Sequence, residues 1–351
     1  MLREFLYEIG TGLATVDCVG LLTTEYPVKE LMGMPEATTM DGIVSLALNG
    51  HGVRRLRRAE VVKLRGRAHL TGEHFLEISS EGIRIIPRLE AVIASDADFA
   101  PNGARAGFGL AELDVLMDGG LPVGSTTMLA GSMGIGKTIL SAHFAVEGVR
   151  KGEKTLFVSF VESPGALAAR AQRIGLELQR CIASGALRIL YQPPTEAEAD
   201  SLVDYLLAEV ARLGARRLVI DGLDALEMSI SDSDRRQRFL AALSLRLRRS
   251  GVTTLFTKEV AKIVGTELDF SDTPIAILGE NLLLLRYVEL RGRMHRILSV
   301  LKMRDSRYEN DLREFEITEQ GFRVLAPLRS AQGLLTGQAL PVGSTIGGEP
   351  S

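Results

Sequence analysis

One segment of the sequence has the spacing of a phosphate-binding loop. It fits the pattern G-x-x-x-x-G-K-[ST] and consists of Gly131, Ser132, Met133, Gly134, Ile135, Gly136, Lys137 and Thr138. Glycines in such a loop let backbone N–H groups face phosphate oxygens, and the helix that follows adds the positive end of its dipole. The lysine reaches the β- and γ-phosphates, and the last hydroxyl binds magnesium. The spacing therefore predicts a site for ATP and Mg²⁺.

A magnesium site of this kind also needs a carboxylate at the end of an apolar strand beside the loop. The run Leu218-Val219-Ile220 ends in Asp221 and has this form. We therefore expect Thr138 and Asp221 to be the two metal-binding residues.

Hydrolysis needs a further carboxylate that orients or deprotonates the attacking water. In phosphate-loop proteins of the expected strand order, this group follows the strand next to the phosphate-loop strand. Glu162 is then the candidate base. A simpler explanation stays open, because Glu162 precedes a helix start at Ser163-Pro164, where an acidic side chain suits the helix dipole.

The elements that would position these groups alternate along the chain. Short buried-type strands are predicted at 126–130, 155–160, 187–191, 217–220 and 253–256, with helical stretches between them and a strand-rich region after Asn281. This order predicts an α/β domain with a mostly parallel sheet.

Two parts of the sequence resemble each other. KLRG at 63–66 recurs as KMRD at 302–305, and EISSEGIRI at 77–85 recurs as EITEQGFRV at 316–324, at one offset. LLTTE at 21–25 resembles LFTKE at 255–259 at a smaller offset. We therefore expect residues 1–92 to be a partial copy that lacks a phosphate loop and begins inside a domain. A linker is expected at 93–107, a complete domain at 108–327 and a flexible tail at 328–351.

The sequence resembles the KaiC-like ATPases of the RecA superfamily. The resemblance covers about residues 1–325 and rests on FGLAELD at 108–114, GGLPVGS at 119–125, the phosphate loop, RYVELRG at 286–292 and KMR at 302–304. It implies a RecA-like domain that assembles into hexameric rings with ATP between subunits. It also implies that Lys302 and Arg304 reach the γ-phosphate of a neighbouring subunit, with Lys63 and Arg65 as their first-copy equivalents.

Two positions depart from the family pattern. Many members carry adjacent glutamates where this chain has Val161 and Glu162, so one carboxylate is missing. The clock member's phosphorylated Ser-Thr pair aligns with Ala276 and Ile277. The expected function is an ATP-hydrolysing signalling ATPase that acts in a homo-oligomeric ring, with a signalling protein as partner. An (auto)kinase for serine and threonine, a DNA-dependent recombination ATPase and a non-hydrolysing assembly module are the alternatives.

Composition limits the remaining classes. The 351 residues hold 41 Lys and Arg against 44 Asp and Glu, a net charge of −3, so a nucleic-acid partner is not expected. An arginine cluster at 235–249 is interpreted as a solvated or subunit-contacting helix face. No apolar run is long enough to cross a membrane, and two cysteines with no signal-peptide pattern favour the cytoplasm.

Overall fold

The computed structural model describes residues 2–16, 18–51, 54–92, 103–193, 198–230, 232–260, 279–290, 292–304, 306–319, 321–327, 331–332 and 340–341. The chain divides into two compact units, Met1–Ala94 and Ser95–Ser351. Most of the expected linker and tail, and the positions Ala276 and Ile277, lie outside the described residues. No described helix combines the length and the hydropathy that a bilayer span requires.

The first unit is a four-stranded antiparallel sheet preceded by helices. In chain order its elements are α1 (Leu2–Thr15), α2 (Val28–Gly33), a 3-10 turn (Pro35–Thr38), β1 (Gly42–His51), β2 (Arg54–Leu64), β3 (His74–Ser79), β4 (Gly82–Ile86) and a second 3-10 turn (Leu89–Ala91). The strands pair in sequence order, β1-β2-β3-β4.

The second unit contains the alternating strands and helices. Its elements are β5 (Arg105–Ala106), α3 (Ala111–Leu116), β6 (Leu121–Pro122), β7 (Thr126–Gly131), α4 (Lys137–Arg150), β8 (Thr155–Ser159), α5 (Pro164–Arg173), α6 (Leu178–Ala183), β9 (Leu187–Tyr191), α7 (Ala199–Leu213), β10 (Arg217–Asp221), α8 (Leu223–Met228), α9 (Ser233–Arg249), β11 (Thr253–Glu259), β12 (Asn281–Leu290), β13 (Arg293–Met303), β14 (Arg313–Thr318), β15 (Gly321–Pro327), β16 (Ala331–Gln332) and β17 (Leu340–Pro341).

A nine-stranded sheet forms the centre of this unit, in the order β15-β14-β13-β12-β7-β11-β10-β8-β9. The six strands from β12 to β9 run parallel, and β13, β14 and β15 continue the sheet antiparallel. Strands β7, β8 and β10 are buried along their whole length, which is typical of a parallel sheet covered by helices. The unit is therefore an α/β domain with a large, mostly parallel sheet.

Secondary structure in the second unit begins slightly earlier than the sequence predicted. Arg105 and Ala106, expected in the linker, pair with Pro122 and Leu121. Ala106 is buried in the same apolar cluster as Phe108. Burial of these side chains fixes the last residues of that segment against the domain.

The sequence repeat corresponds to a repeat in structure. Strands β1 to β4 begin at positions aligned with the starts of β12 to β15. The β1–β2 ladder runs from Gly42↔Leu64 and is irregular between Ile43 and Val44. The β12–β13 ladder runs from Asn281↔Met303 and is irregular at the aligned step, Leu282/Leu283. The two copies therefore share register and bulge.

The repeat fails at one element. LFTKE at 255–259 lies in β11, which is paired on both sides by β7 and β10, whereas LLTTE at 21–25 forms no strand. Leu21 and Leu22 are exposed. A strand needs partners for its backbone groups, and the first unit holds no counterpart of β7 or β10 among its described residues.

Candidate functional site

Four parallel strands bring their carboxyl ends to one edge of the sheet. Glu259 of β11 lies opposite Gly131 of β7, and Asp221 of β10 lies opposite both Thr257 of β11 and Ser159 of β8. In open α/β sheets, ligands bind outside this edge. The phosphate loop and Glu162 follow strands that end here, and Asp221 is the last residue of β10.

The phosphate loop connects β7 to α4 and makes its turns at glycines. Gly134 and Gly136 have φ of 70° and 121°, a region that favours glycine. A Cβ on Gly136 would also stand 2.5 Å from Cδ1 of Ile317 on β14. Lys137 opens α4, and its Nζ donates to the carbonyl oxygens of Gly131 and Ser132 at 2.8 and 2.9 Å. Burial lowers the pKa of Lys137, and nearby acidic groups, Glu259 first, oppose that shift.

The two predicted metal-binding side chains are in direct contact. Thr138 donates its hydroxyl to Asp221 Oδ2 at 2.9 Å, and Thr257 donates to Asp221 Oδ1 at 2.8 Å. Burial raises the pKa of Asp221, while these two hydrogen bonds act in the opposite direction. A hydroxyl and a carboxylate are the hard oxygen donors that Mg²⁺ prefers. Mg²⁺ at such sites also takes phosphate and water oxygens, which would complete the coordination. No cluster of three acidic, His or Cys side chains occurs among the described residues.

Glu162 faces the same edge, but its strand is not the one that we expected. β8 is separated from the phosphate-loop strand β7 by β11 and β10, and it pairs with β10, the strand of Asp221. The expectation of a strand next to β7 is therefore wrong, since β11 inserts there from late in the chain. Glu162 nevertheless lines the cavity together with Lys137, Thr138 and Asp221.

The Glu162 carboxylate pairs with a cation on the following helix. Arg170 Nη1 lies 2.9 Å from Glu162 Oε1. Burial raises the pKa of Glu162, and Arg170 opposes that shift more than any other charge. Ser163 caps α5 by accepting from the N–H of Ala166, so Glu162 also stands before a helix start, as the simpler explanation required.

A cavity of about 880 Å³ joins these groups. Sequence reasoning missed several polar residues in its wall, among them Thr257, Arg170, Arg173 and Arg296. The available signal for two of them was the spacing of Arg170 and Arg173, one helical turn apart on the helix that follows Glu162. Val161, where the family often has an acid, also lines the cavity and is 65% exposed.

Lys302 and Arg304 lie at the opposite edge of the sheet. Met303, between them, pairs with Asn281, which pairs with Thr127 at the start of β7. Lys302 Nζ donates to the carbonyl of Gly279 at 2.8 Å, and the backbone N–H of Arg304 donates to the carbonyl of Glu280 at 3.1 Å. The structure does not bring this pair to the phosphate loop of its own chain.

Lys63 and Arg65 have the corresponding position in the first unit. Lys63 Nζ donates to the carbonyl of Ala37 at 2.8 Å, and the N–H of Arg65 donates to the carbonyl of Asp41 at 2.7 Å. The backbone contacts of Arg65 and Arg304 thus correspond, because Asp41 aligns with Glu280.

Comparison with known proteins identifies the family of this chain. The family described as ATPase: KaiC matches residues 1–90 and 107–329. The circadian clock oscillator protein KaiC of Picosynechococcus sp. is 28% identical over 96% of this chain and 65% of its own length. KaiC of Thermostichus vulcanus is 29% identical over 96% of this chain and 64% of its own length.

The clock oscillator protein KaiC 1 of Synechocystis sp. is 28% identical over the same shares, 96% and 64%. The chain thus spans slightly less than two thirds of the relatives that it matches. The matched range 107–329 contains the phosphate loop, Asp221 and Glu162. The chain belongs to the KaiC family of ATPases.

Proposed function

We propose that this protein binds Mg-ATP at the phosphate loop of its second unit and hydrolyses it slowly. The contact that carries the proposal is Thr138 Oγ1 to Asp221 Oδ2 at 2.9 Å, which places two hard oxygen donors at the end of the loop. A magnesium ion held there would neutralise charge on the transferring phosphoryl group. Backbone N–H groups of 131–136 and Lys137 would bind the β- and γ-phosphates.

Glu162 is the proposed base for the attacking water. Its carboxylate lines the cavity and is only 13% exposed, so it would act in a partly dehydrated site. Removing a positioned general base costs typically 10² to 10⁴ in rate. Glu162→Gln should therefore keep ATP binding and lower turnover by roughly two orders of magnitude.

Assembly is part of the proposal. Lys302 and Arg304 lie at the sheet edge opposite the phosphate loop, so their expected contact with a γ-phosphate requires another subunit. We propose a homo-oligomeric ring, with six subunits as in the family resemblance, in which residues 108–327 carry the site. Residues 1–92 would be a partial copy joined by a linker at 93–107, and 328–351 a tail. A signalling protein is the proposed partner.

The test is nucleotide binding and product identity for the purified protein. Lys137→Ala removes a cation next to the phosphates, so ATP affinity should fall; an unchanged affinity contradicts the site assignment. Free phosphate as the product supports an ATPase, whereas phosphate on Ser or Thr side chains supports the kinase alternative. Stimulation by single-stranded DNA with a steep salt dependence would support the recombination alternative.

A second candidate is a module that binds ATP without hydrolysing it. The observation in its favour is Val161, an apolar side chain exposed to the cavity where a carboxylate is common in the family. If the missing carboxylate were the base, wild type would bind ATP without turnover, and Val161→Glu would create activity. Val161→Gln has a similar size without the charge and is the matched control.

A further inference from the structure

Helix α5 directs two arginines at the nucleotide cavity. The helix begins at Pro164, directly after Glu162 and the capping residue Ser163, and ends at Arg173. Arg170 and Arg173 are one turn apart, and both line the cavity with Lys137 and Thr138. Helix α5 therefore adds two cations to Lys137 and Arg296 in the wall of this cavity.

Arg170 has the more defined position of the two. Its guanidinium pairs with Glu162 at 2.9 Å while the side chain stays 46% exposed. Its charge also acts on Asp221, whose carboxylate accepts from Thr138. The guanidinium is thus within electrostatic reach of both carboxylates that face the proposed metal and terminal phosphate.

A triphosphate in the loop would compete with Glu162 for this guanidinium. The γ-phosphate of a nucleotide bound to Lys137 and Thr138 would lie on the side of Asp221. Arginine pairs with phosphate and with carboxylate through the same fork of N–H donors, and a long, half-exposed side chain can exchange one partner for the other. A diphosphate has no γ-phosphate and would therefore offer no such partner to the Arg170 guanidinium.

We propose that Arg170 is a γ-phosphate-binding residue supplied by the same chain that carries the phosphate loop. When a triphosphate binds, the guanidinium leaves Glu162 and pairs with γ-phosphate oxygens, which frees the carboxylate to face the water. Arg170 therefore makes the site selective for triphosphate over diphosphate. This inference rests on the proposed function, and it differs from the role of Lys302 and Arg304 because it needs no second subunit.

The experiment compares a non-hydrolysable ATP analogue with ADP, each with Mg²⁺, by titration calorimetry on the full chain. Arg170→Ala should lower affinity for the triphosphate about tenfold to a hundredfold, the loss expected for one charge-assisted pair. ADP affinity should stay within about threefold, because no contact to the diphosphate is removed. Arg170→Lys should fall between. Arg180→Ala is the matched control, since Arg180 is an exposed arginine of α6 that pairs with Glu177.

The same measurement in a Glu162→Gln background separates a phosphate contact from an effect through Glu162. If Arg170 binds the γ-phosphate, Arg170→Ala still lowers triphosphate affinity there. A loss that disappears in that background, or that is equal for ADP and triphosphate, overturns the inference while leaving nucleotide binding intact. If wild type binds neither nucleotide, the proposed function fails and this inference with it.

Discussion

Burial shifts the pKa of three charged side chains at the phosphate-loop site. It raises the pKa of Asp221 and Glu162 and lowers the pKa of Lys137, because each charged form loses hydration. Each group has a different compensation: hydroxyl donors for Asp221, the Arg170 guanidinium for Glu162 and carboxylates for Lys137. The site therefore holds opposite charges in contact with one another. A bound magnesium nucleotide would change these pairings.

The first prediction concerns the pH dependence of turnover. A base works only when deprotonated, so turnover should fall as pH falls through the pKa of Glu162. Because burial raises that pKa, the fall should lie above the ordinary value of 4.5. Arg170 holds the pKa down, so Arg170→Ala should move the fall to still higher pH. The measurement is kcat/KM for ATP against pH for both proteins, because kcat/KM reports the free enzyme, in which Arg170 pairs with Glu162.

Two results would contradict this prediction. One is an acid limb that stays in place when Arg170 is removed, and the other is a Glu162→Gln protein that hydrolyses ATP as wild type does. Arg180→Ala should leave the limb where it is, since Arg180 pairs with Glu177.

At the scale of elements, helix α4 packs His143 against the antiparallel strands of the sheet. His143 meets Phe322 of β15 edge-on, with ring centroids 6.4 Å apart. Within the described part of the chain its Nε2 has no hydrogen-bond partner. Burial, with a smaller contribution from Arg150, lowers the pKa of His143 to about 4. The folded protein therefore holds this imidazole neutral.

This histidine should make stability fall with acid. An unfolded histidine titrates near 6.5, so the unfolded state takes up a proton between pH 6.5 and 4 that the folded state refuses. Stability should fall over that window, by about 3 kcal/mol in full and about 2 kcal/mol by pH 5. His143→Leu removes the titrating group, so its unfolding free energy should depend less on pH. Urea unfolding at pH 7 and pH 5 measures this difference. If the unfolding free energy of both proteins changed equally between the two pH values, His143 would not be the group responsible.

The strands of the parallel sheet could be predicted because each is a short, continuous apolar run between helical stretches. The strand order could not be predicted, since β11 inserts between β7 and β10 from late in the chain. That insertion explains the wrong neighbour given to the strand of Glu162. LLTTE repeats the letters of β11, but it forms no strand, because the strands that pair with β11 on both sides have no counterpart among the described residues of the first unit.

Buried charge was the other feature hidden from the sequence. Arg217 looked like an ordinary strand start, yet it is fully buried. It donates to the carbonyls of Gly107 and Phe144 at 2.6 and 3.0 Å and pairs with Glu153. These partners come from three separate segments, so no local sequence pattern predicts them. The cavity-facing arginines of α5 were missed for a related reason, because their direction depends on how the helix packs.

The whole molecule carries the same run of four antiparallel strands twice, as β1–β4 and as β12–β15, in different surroundings. Leu285 of β12 is 0% exposed and belongs to the main apolar cluster, whereas Leu46, at the aligned position of β1, is 65% exposed. Val44, Leu48, Ile83 and Ile85 are also exposed. The sequence is apolar at these positions in both copies, but burial differs. Among its described residues, the first unit therefore keeps an apolar face without the elements that cover it in the second.

The aligned leucines provide a matched pair of variants. Leu285→Lys would bury an unpaired charge and should destabilise the second unit by about 4 kcal/mol or more. Leu46→Lys stays in water and should change the unfolding free energy by less than about 0.5 kcal/mol. Denaturant unfolding of both full-length variants measures the difference. If Leu46→Lys cost as much as Leu285→Lys, the exposed face of the first unit would be covered in solution.

The last prediction tests whether the site is completed by another subunit. Within one chain, Lys302 and Arg304 lie at the sheet edge opposite Lys137. A Lys137→Ala protein and an Arg304→Ala protein should therefore each be inactive, because each lacks a different half of the site at the subunit interface. In mixed assemblies some interfaces combine an intact phosphate loop with an intact Arg304, so ATP turnover should partly return on mixing. Light scattering would establish that the two variants exchange subunits. No recovery despite confirmed exchange would show that Arg304 acts within its own chain or not at all, and a variant pair of Lys137→Ala with Thr138→Ala, both in one half of the interface, should never recover.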